Sequence, residues 1–196
     1  LVNVAEWRVV GSLAPLPITP AREKWTAVMP QPVPIMGKVL YEHMKKNNIK
    51  TVGYIGFSDS YGDLWLNDLK TQTGAMGGIT VVAEERYARP DTSVAGQVLK
   101  LVAANPDAIL IGASGTGAAL PQSALRERGY KGLIYQTHGA AAMDFIRIAG
   151  PSAEGVIMAA GPVMAPEGQP DSALTKRPGL ALNEAYEKKY GANTRS

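Results

Sequence analysis

Cysteine is missing altogether, which excludes disulfides, thiolate nucleophiles and cysteine-held metals. Histidine is nearly as scarce. His43 and His138 are the only two, too far apart to suggest metal-ligand spacing, and no cofactor motif stands in for them. No run of about 18 apolar residues occurs, so no membrane-spanning helix is expected. Charge of either sign is thin: 20 Lys and Arg against 17 Asp and Glu leave a formal net charge of +3, too little to point to a nucleic-acid partner. The pairs Lys45–Lys46 and Lys188–Lys189 fall near predicted helix ends, where cations suit the helix dipole. The opening LVNVAEWRVV has neither a basic n-region nor an apolar h-region, so no signal peptide is read in it; export would imply prior trimming.

What is present is enough for a core of one domain or slightly more: 196 residues, 45% of them hydrophobic. Residues 12–34 carry six prolines and should run extended, as a connector crossing between two bodies, with a short strand over Trp25–Met29. Regular patterning begins after it. Met36, Leu40 and Met44 recur at one helical face over Ile35–Lys46, and Asn47–Asn48 can end that helix. TVGYIGF at Thr51–Phe57 reads as a buried parallel strand. Further strands are expected at Ile79–Tyr87, Asp107–Ala113, Gly132–Thr137 and Val156–Ala160. Helices are expected at about Gly62–Gln72, Ser93–Ala104, Gly117–Arg128, Ala141–Ile148 and Gly179–Tyr190. Ser93 is the expected cap of the second of these, with Val94, Val98, Leu101 and Val102 on its apolar face. Such alternation predicts an α/β fold, a doubly wound parallel sheet flanked by helices in the order 2-1-3-4-5.

In such sheets ligands sit beyond the carboxyl ends of the strands. Here those ends are Ser58-Asp59-Ser60-Tyr61-Gly62, Ser114-Gly115-Thr116-Gly117 and Thr137-His138-Gly139, all small, polar or glycine-rich. Tyr61 would offer a flat apolar face and a hydroxyl, though it could instead staple the helix start. His138 directly follows a buried strand, either as a ligand contact or as a satisfied strand-end histidine; His43 reads as a surface or edge residue, and Trp65 and Trp25 as packing residues. The run Gly112–Gly117 misses both the dinucleotide and the P-loop glycine spacings. The serines of Gly56-Phe-Ser58-Asp-Ser60 and Gly112-Ala-Ser114-Gly-Thr116 each miss the nucleophile elbow by one residue, and no acid stands out as a partner for His138. The chain is therefore read as a binding protein and not an enzyme, a serine hydrolase being the remote alternative.

Several blocks share an order and spacing with a known family: Ile49-Lys-Thr-Val-Gly-Tyr-Ile, Asp59-Ser-Tyr61-Gly62, Tyr87-Ala-Arg-Pro-Asp91-Thr92-Ser93, Asn105-Pro-Asp-Ala-Ile, Arg126-Glu-Arg-Gly129-Tyr-Lys and Ile148-Ala-Gly-Pro-Ser-Ala-Glu154-Gly155. Together they resemble the periplasmic branched-chain amino-acid-binding family of ABC importers, from about residue 10 to the end. The resemblance implies one lobe of a two-lobed type I periplasmic binding protein. Such a receptor closes on a small molecule, is periplasmic (or membrane-tethered outside a Gram-positive cell), and delivers its cargo to a membrane permease. Residues 1–33 would be the edge of the first lobe and the hinge crossing, and 34–196 the ligand-binding lobe. On this reading Val9–Val10 and the proline-rich crossing have no partner elements in the chain. A ligand-sensing domain of a signalling receptor is the alternative.

Carried over residue by residue, Tyr61 matches the family's Tyr-Gly ligand contact. Ser114, next to Gly115, stands where amino-acid binders often have an aromatic residue. His138, next to Gly139, stands where they often place a glutamate for the ligand's ammonium group. Ser12 and Ala14 fall in the stretch contacting the ligand's carboxylate. The departures at 114 and 138 imply a ligand without an α-ammonium group, because a histidine cannot neutralise one. A small carboxylic acid, aromatic or aliphatic, is expected ahead of a branched-chain amino acid.

Overall fold

The computed structural model describes residues 31–192 and the backbone of 2–4, 7–10 and 26–28. Among the described residues, eight strands fall into two sheets. The smaller sheet joins β1 (Val2–Val4), β2 (Trp7–Val10) and β3 (Thr26–Val28), with β1 antiparallel and β3 parallel to β2. This corrects the expectation that Val9–Val10 and the crossing lack partners: Val9 pairs with Ala27 and Val10 with Val28. Short extended apolar segments leave backbone donors and acceptors open, and these two satisfy each other.

The larger sheet is wholly parallel, in the order β5-β4-β6-β7-β8. Its members are β4 (Thr51–Phe57), β5 (Thr80–Tyr87), β6 (Ala108–Gly112), β7 (Leu133–Gln136) and β8 (Ile157–Met158). The order is the 2-1-3-4-5 expected from the alternation of elements. The helices are α1 (Val33–Lys46), α2 (Ser60–Met76), α3 (Ala95–Ala104), α4 (Ala119–Glu127), α5 (Met143–Ala149) and α6 (Lys176–Tyr190).

Strand alternation divides the core into two layers. Val52, Tyr54, Ala108 and Leu110 pack on one face with Met36, Leu40 and Met44 of α1 and Trp65 and Leu69 of α2. Ile55, Phe57, Ile109 and Ile111 pack on the other with Val98 and Leu101 of α3, Leu125 of α4 and Phe145 of α5. Burial on both faces is why β4 and β6 read as unbroken apolar runs. Their amino ends are locked together by Asp107: its Oδ2 accepts the N–H groups of Lys50 and Thr51, each at 2.8 Å, while its own N–H donates to Thr51 Oγ1 at 3.0 Å. From there the pairing runs without a slip from Val52 opposite Ala108 to Gly56 opposite Gly112.

Helix ends differ from the sequence expectation for local reasons. Helix α2 starts at Ser60, two residues early, because Asp59 Oδ1 accepts the N–H groups of Tyr61 and Gly62 at 3.0 and 3.2 Å. It runs on to Met76 and stops at Gly77, whose φ of 64° breaks the helix. Val94, not Ser93, caps α3, with Ser93 Oγ accepting the Ala95 N–H at 3.4 Å. The helix expected from Gly117 splits into a 3₁₀ turn, Gly115–Ala118, and α4; that expected from Ala141 is preceded by a 3₁₀ turn at His138–Ala140. Short 3₁₀ turns are common at helix starts. Helix α6 begins three residues early, with Pro178 in its first turn, where the missing N–H costs nothing. The last strand shrinks to Ile157–Met158, paired only with Tyr135 and Gln136.

Candidate functional site

The neighbours β4 and β6 lead into helices on opposite faces of the sheet, so a crevice opens between the loops at their carboxyl ends. Tyr61 enters from the first turn of α2, Ser114 and Gly115 follow β6, and His138 and Gly139 follow β7. The structure brings these five together. A Cβ added to Gly139 would lie 2.5 Å from the Tyr61 hydroxyl and 2.7 Å from Ser114 Cβ. Gly115 has a different reason to be glycine: its φ is 57° and the space beside it is open. Ser12 and Ala14 lie outside the described residues.

Tyr61 is fixed from below. Thr137 Oγ1 donates to the Ala113 carbonyl at 2.7 Å, so the 2.9 Å contact between Tyr61 and Thr137 takes its proton from the tyrosine. The hydroxyl expected to reach a ligand is thus committed inward, leaving the ring for the crevice. Burial pushes the Tyr61 pKa up, tempered by Thr137, Trp65 and Gly139 around the hydroxyl. Tyr54 holds the same turn: lying across Gly56 and Gly112, it donates to the Gly62 carbonyl at 2.7 Å.

His138 is half-buried, its ring 5.8 Å from that of Trp65 and 6.3 Å from that of Tyr61. Burial lowers its pKa below the ordinary 6.5, so it is neutral near pH 7. Its Nδ1 and the Trp65 indole nitrogen are both buried without a hydrogen-bond partner among the described residues. Trp65 is fully buried, a packing residue as its sequence context suggested. His43 stands at an edge, Nδ1 3.0 Å from the Tyr135 hydroxyl. Ser114 Oγ meets Arg89, not His138, so no serine–histidine pair forms there.

Sequence reasoning passed over two features. Arg89, from the loop after β5, reaches across the ends of β4 and β6. Its guanidinium lies 4.1 Å from the centre of the Phe57 ring, Nε donates to Asp59 Oδ2 at 2.6 Å, and Nη1 to Ser114 Oγ at 3.4 Å. Burial alone would raise the Asp59 pKa, but the Gly62 amide, Arg89 and the Tyr61 amide hold it below the ordinary value. The second feature is an apolar cavity of about 610 Å³ that begins at Ala140, the last residue of the His138 turn, and is walled by Met143, Ile146, Met158, Leu182 and Tyr186. Asn183 also lines it, with its buried Nδ2 unpartnered among the described residues. Its wall carries outward-facing apolar residues, among them Met143, Ile146, Leu182 and Tyr186, but a surface apolar residue alone is uninformative.

A doubly wound parallel sheet with small, polar loops at its switch point has the architecture in which ligands bind beyond the carboxyl ends of the strands. A family model described as periplasmic binding protein matches residues 27–196, and the chain belongs to that family. Its fold is also that of a type 1 periplasmic binding protein from Bordetella pertussis Tohama I, 22% identical (TM-score 0.72; 86% of this chain, 43% of its own). An extracellular ligand-binding receptor from Rhodopseudomonas palustris HaA2 is 83% identical, with a TM-score of 0.86 over 94% of this chain and 51% of its own. A fatty acid ABC transporter substrate-binding protein from Thermomonospora curvata is 26% identical (TM-score 0.69; 87% of this chain, 43% of its own). A leucine-binding protein from Thermotoga maritima, 24% identical, shares the fold (TM-score 0.68; 86% and 46%). The chain thus spans about half the length of the solved receptors it matches. No curated protein matches it.

Proposed function

We propose that this chain is the ligand-gripping lobe of a solute receptor that serves an ABC importer from the periplasm or the outer cell surface. Residues 1–33 then contribute the edge of a first lobe and the hinge crossing, and 34–196 the lobe described above. Tyr61, Ser114, Gly115, His138 and Gly139 contact the ligand from this side, and Ser12 and Ala14 from the other. The ligand is a small carboxylic acid with an apolar body, aromatic or aliphatic, that lacks an α-ammonium group.

The observation that carries this reading is His138. It supplies a neutral imidazole where an ammonium ion would need an anion, and the carboxylates at the start of α2, Asp59 and Asp63, are already paired with Arg89 and Arg86. The adjoining apolar cavity gives a ligand's body a surface without charge. Family membership and the fatty-acid and leucine binders among its relatives support the receptor role and leave the cargo class to the site's own chemistry.

The test is calorimetric titration of the intact protein with leucine, valine, benzoate, hexanoate and 4-methyl-2-oxopentanoate. Binding of at least one ammonium-free acid more tightly than either amino acid is expected. Tight leucine binding with no heat from any of the acids would refute the reading.

A further inference from the structure

We infer that Arg89 is the residue of this lobe that grips the ligand's carboxylate, acting with the hydroxyl of Ser114. The inference rests on the carboxylic-acid reading above and gives that acid group a place on the lobe.

Three features converge on Arg89. The first is position. The guanidinium reaches from the loop after β5, over Phe57 at the end of β4, to Ser114 just beyond β6, and so spans the switch point where ligands of doubly wound folds sit. The second is preorganisation. Asp59, itself fixed as the cap of α2, holds Nε, and the Phe57 ring supports the flat face, so little side-chain freedom remains to be lost on binding.

The third is unused capacity. A guanidinium has five N–H donors. Asp59 takes the Nε proton and Ser114 one of the Nη1 protons, leaving three donors without a partner among the described residues. The side chain is 53% exposed, so a ligand can reach them. Because Ser114 Oγ accepts from Arg89, its own proton is free to point at the same oxygen atoms. A carboxylate is the ligand group that a planar fork of donors plus a neighbouring hydroxyl suits. Asp59 does not spoil the site, because it takes the Nε proton while Nη1 is turned to Ser114 Oγ. Arg86, the other cation nearby, is turned to Asp63 and the Asp59 carbonyl and does not compete.

Serine at position 114 follows from this arrangement. An aromatic side chain there would occupy the space into which the guanidinium reaches, so replacing it with serine opens the approach.

The experiment titrates wild type, Arg89→Gln, Arg89→Lys and Ser114→Ala forms of the intact protein with benzoate, hexanoate and 4-methyl-2-oxopentanoate, following thermal unfolding alongside. For the acid that wild type binds best, Arg89→Gln should weaken binding roughly ten- to a hundredfold, the range of a charge-assisted hydrogen bond. Arg89→Lys, which keeps the charge without the fork, should lose less, and Ser114→Ala should weaken binding roughly three- to tenfold. Unfolding midpoints should stay close to wild type, since Arg89 is half exposed. If wild type binds an acid and both Arg89 variants match it within twofold, the carboxylate is held elsewhere; this inference falls while the acid reading stands. If wild type binds leucine and none of the acids, the acid reading fails and takes this inference with it.

Discussion

Replacing Gly139 with alanine tests whether the crevice is the tightly packed unit described above. The new methyl would lie 2.5 Å from the Tyr61 hydroxyl, 2.7 Å from Ser114 Cβ and 3.2 Å from the Ala113 carbonyl oxygen. Ser114 and Ala113 are held by the end of β6, so Tyr61 is the group that can yield. Swinging its ring away breaks the bond to Thr137, about 0.5–1.5 kcal/mol. The residual crowding adds about 1–3 kcal/mol, the usual range for an extra methyl in a packed site. A loss of about 1.5–4.5 kcal/mol should lower the unfolding midpoint by roughly 3–18 °C in a protein of this size class. Ligand affinity should fall with it, because the displaced ring is the one proposed to face the ligand. Gly115→Ala is the control. Its methyl meets nothing, so only the left-handed backbone is penalised, at about 1 kcal/mol. Thermal unfolding and calorimetry of both variants decide the matter. A Gly139→Ala protein within about 0.5 kcal/mol of wild type, the spread of ordinary surface substitutions, would refute the packing argument.

Asp59→Ala should cost about 1 kcal/mol or somewhat more by uncapping α2, and should also release Arg89, so acid binding weakens too. Because the folded carboxyl titrates below its ordinary 3.8, the aspartate's contribution is full above that value and disappears as pH falls through the lower folded value; denaturation curves of wild type and variant should converge in acid. For His138 the dependence follows from the lowered pKa of a base. Between the depressed folded value and 6.5 the unfolded chain binds the extra proton, so this residue makes stability fall as pH drops through that window. His138→Gln should flatten that part of the stability–pH profile, and an unchanged slope would show that the imidazole is not shielded as described.

Where the pattern is local, the sequence reads well. The apolar run of β4 is found at Thr51–Phe57 as expected, and the four-residue spacing of Met36, Leu40 and Met44 correctly marks the buried face of α1. Sheet order followed from alternation together with the handedness of crossovers. The loops carrying Tyr61, Ser114 and His138 could be found because a parallel sheet presents all its carboxyl ends on one side. What escaped depends on contacts across the sheet. Arg89 lies in a motif noted for its spacing alone, and its posture is set by Phe57, Asp59 and Ser114, each 25 or more residues away in the chain. The inward turn of the Tyr61 hydroxyl depends likewise on Thr137, 76 residues away. The apolar cavity needs β8, α5 and α6 together, and no single segment announces it.

The Asp107 clamp has a consequence for how such a receptor can change its cargo over evolutionary time. With β4 and β6 pinned at their amino ends and paired without a slip, the loops bearing Tyr61 and Ser114 stand at heights fixed by strand length. Inserting one residue into either strand would lift its loop by about 3.3 Å and turn alternate side chains to the wrong face. Exchanging a side chain on a loop leaves both heights alone. New specificities in this architecture are therefore reachable by point substitution, at positions such as 114 and 138, and closed to insertions within the strands. The register acts as a ruler against which every new ligand has to be fitted.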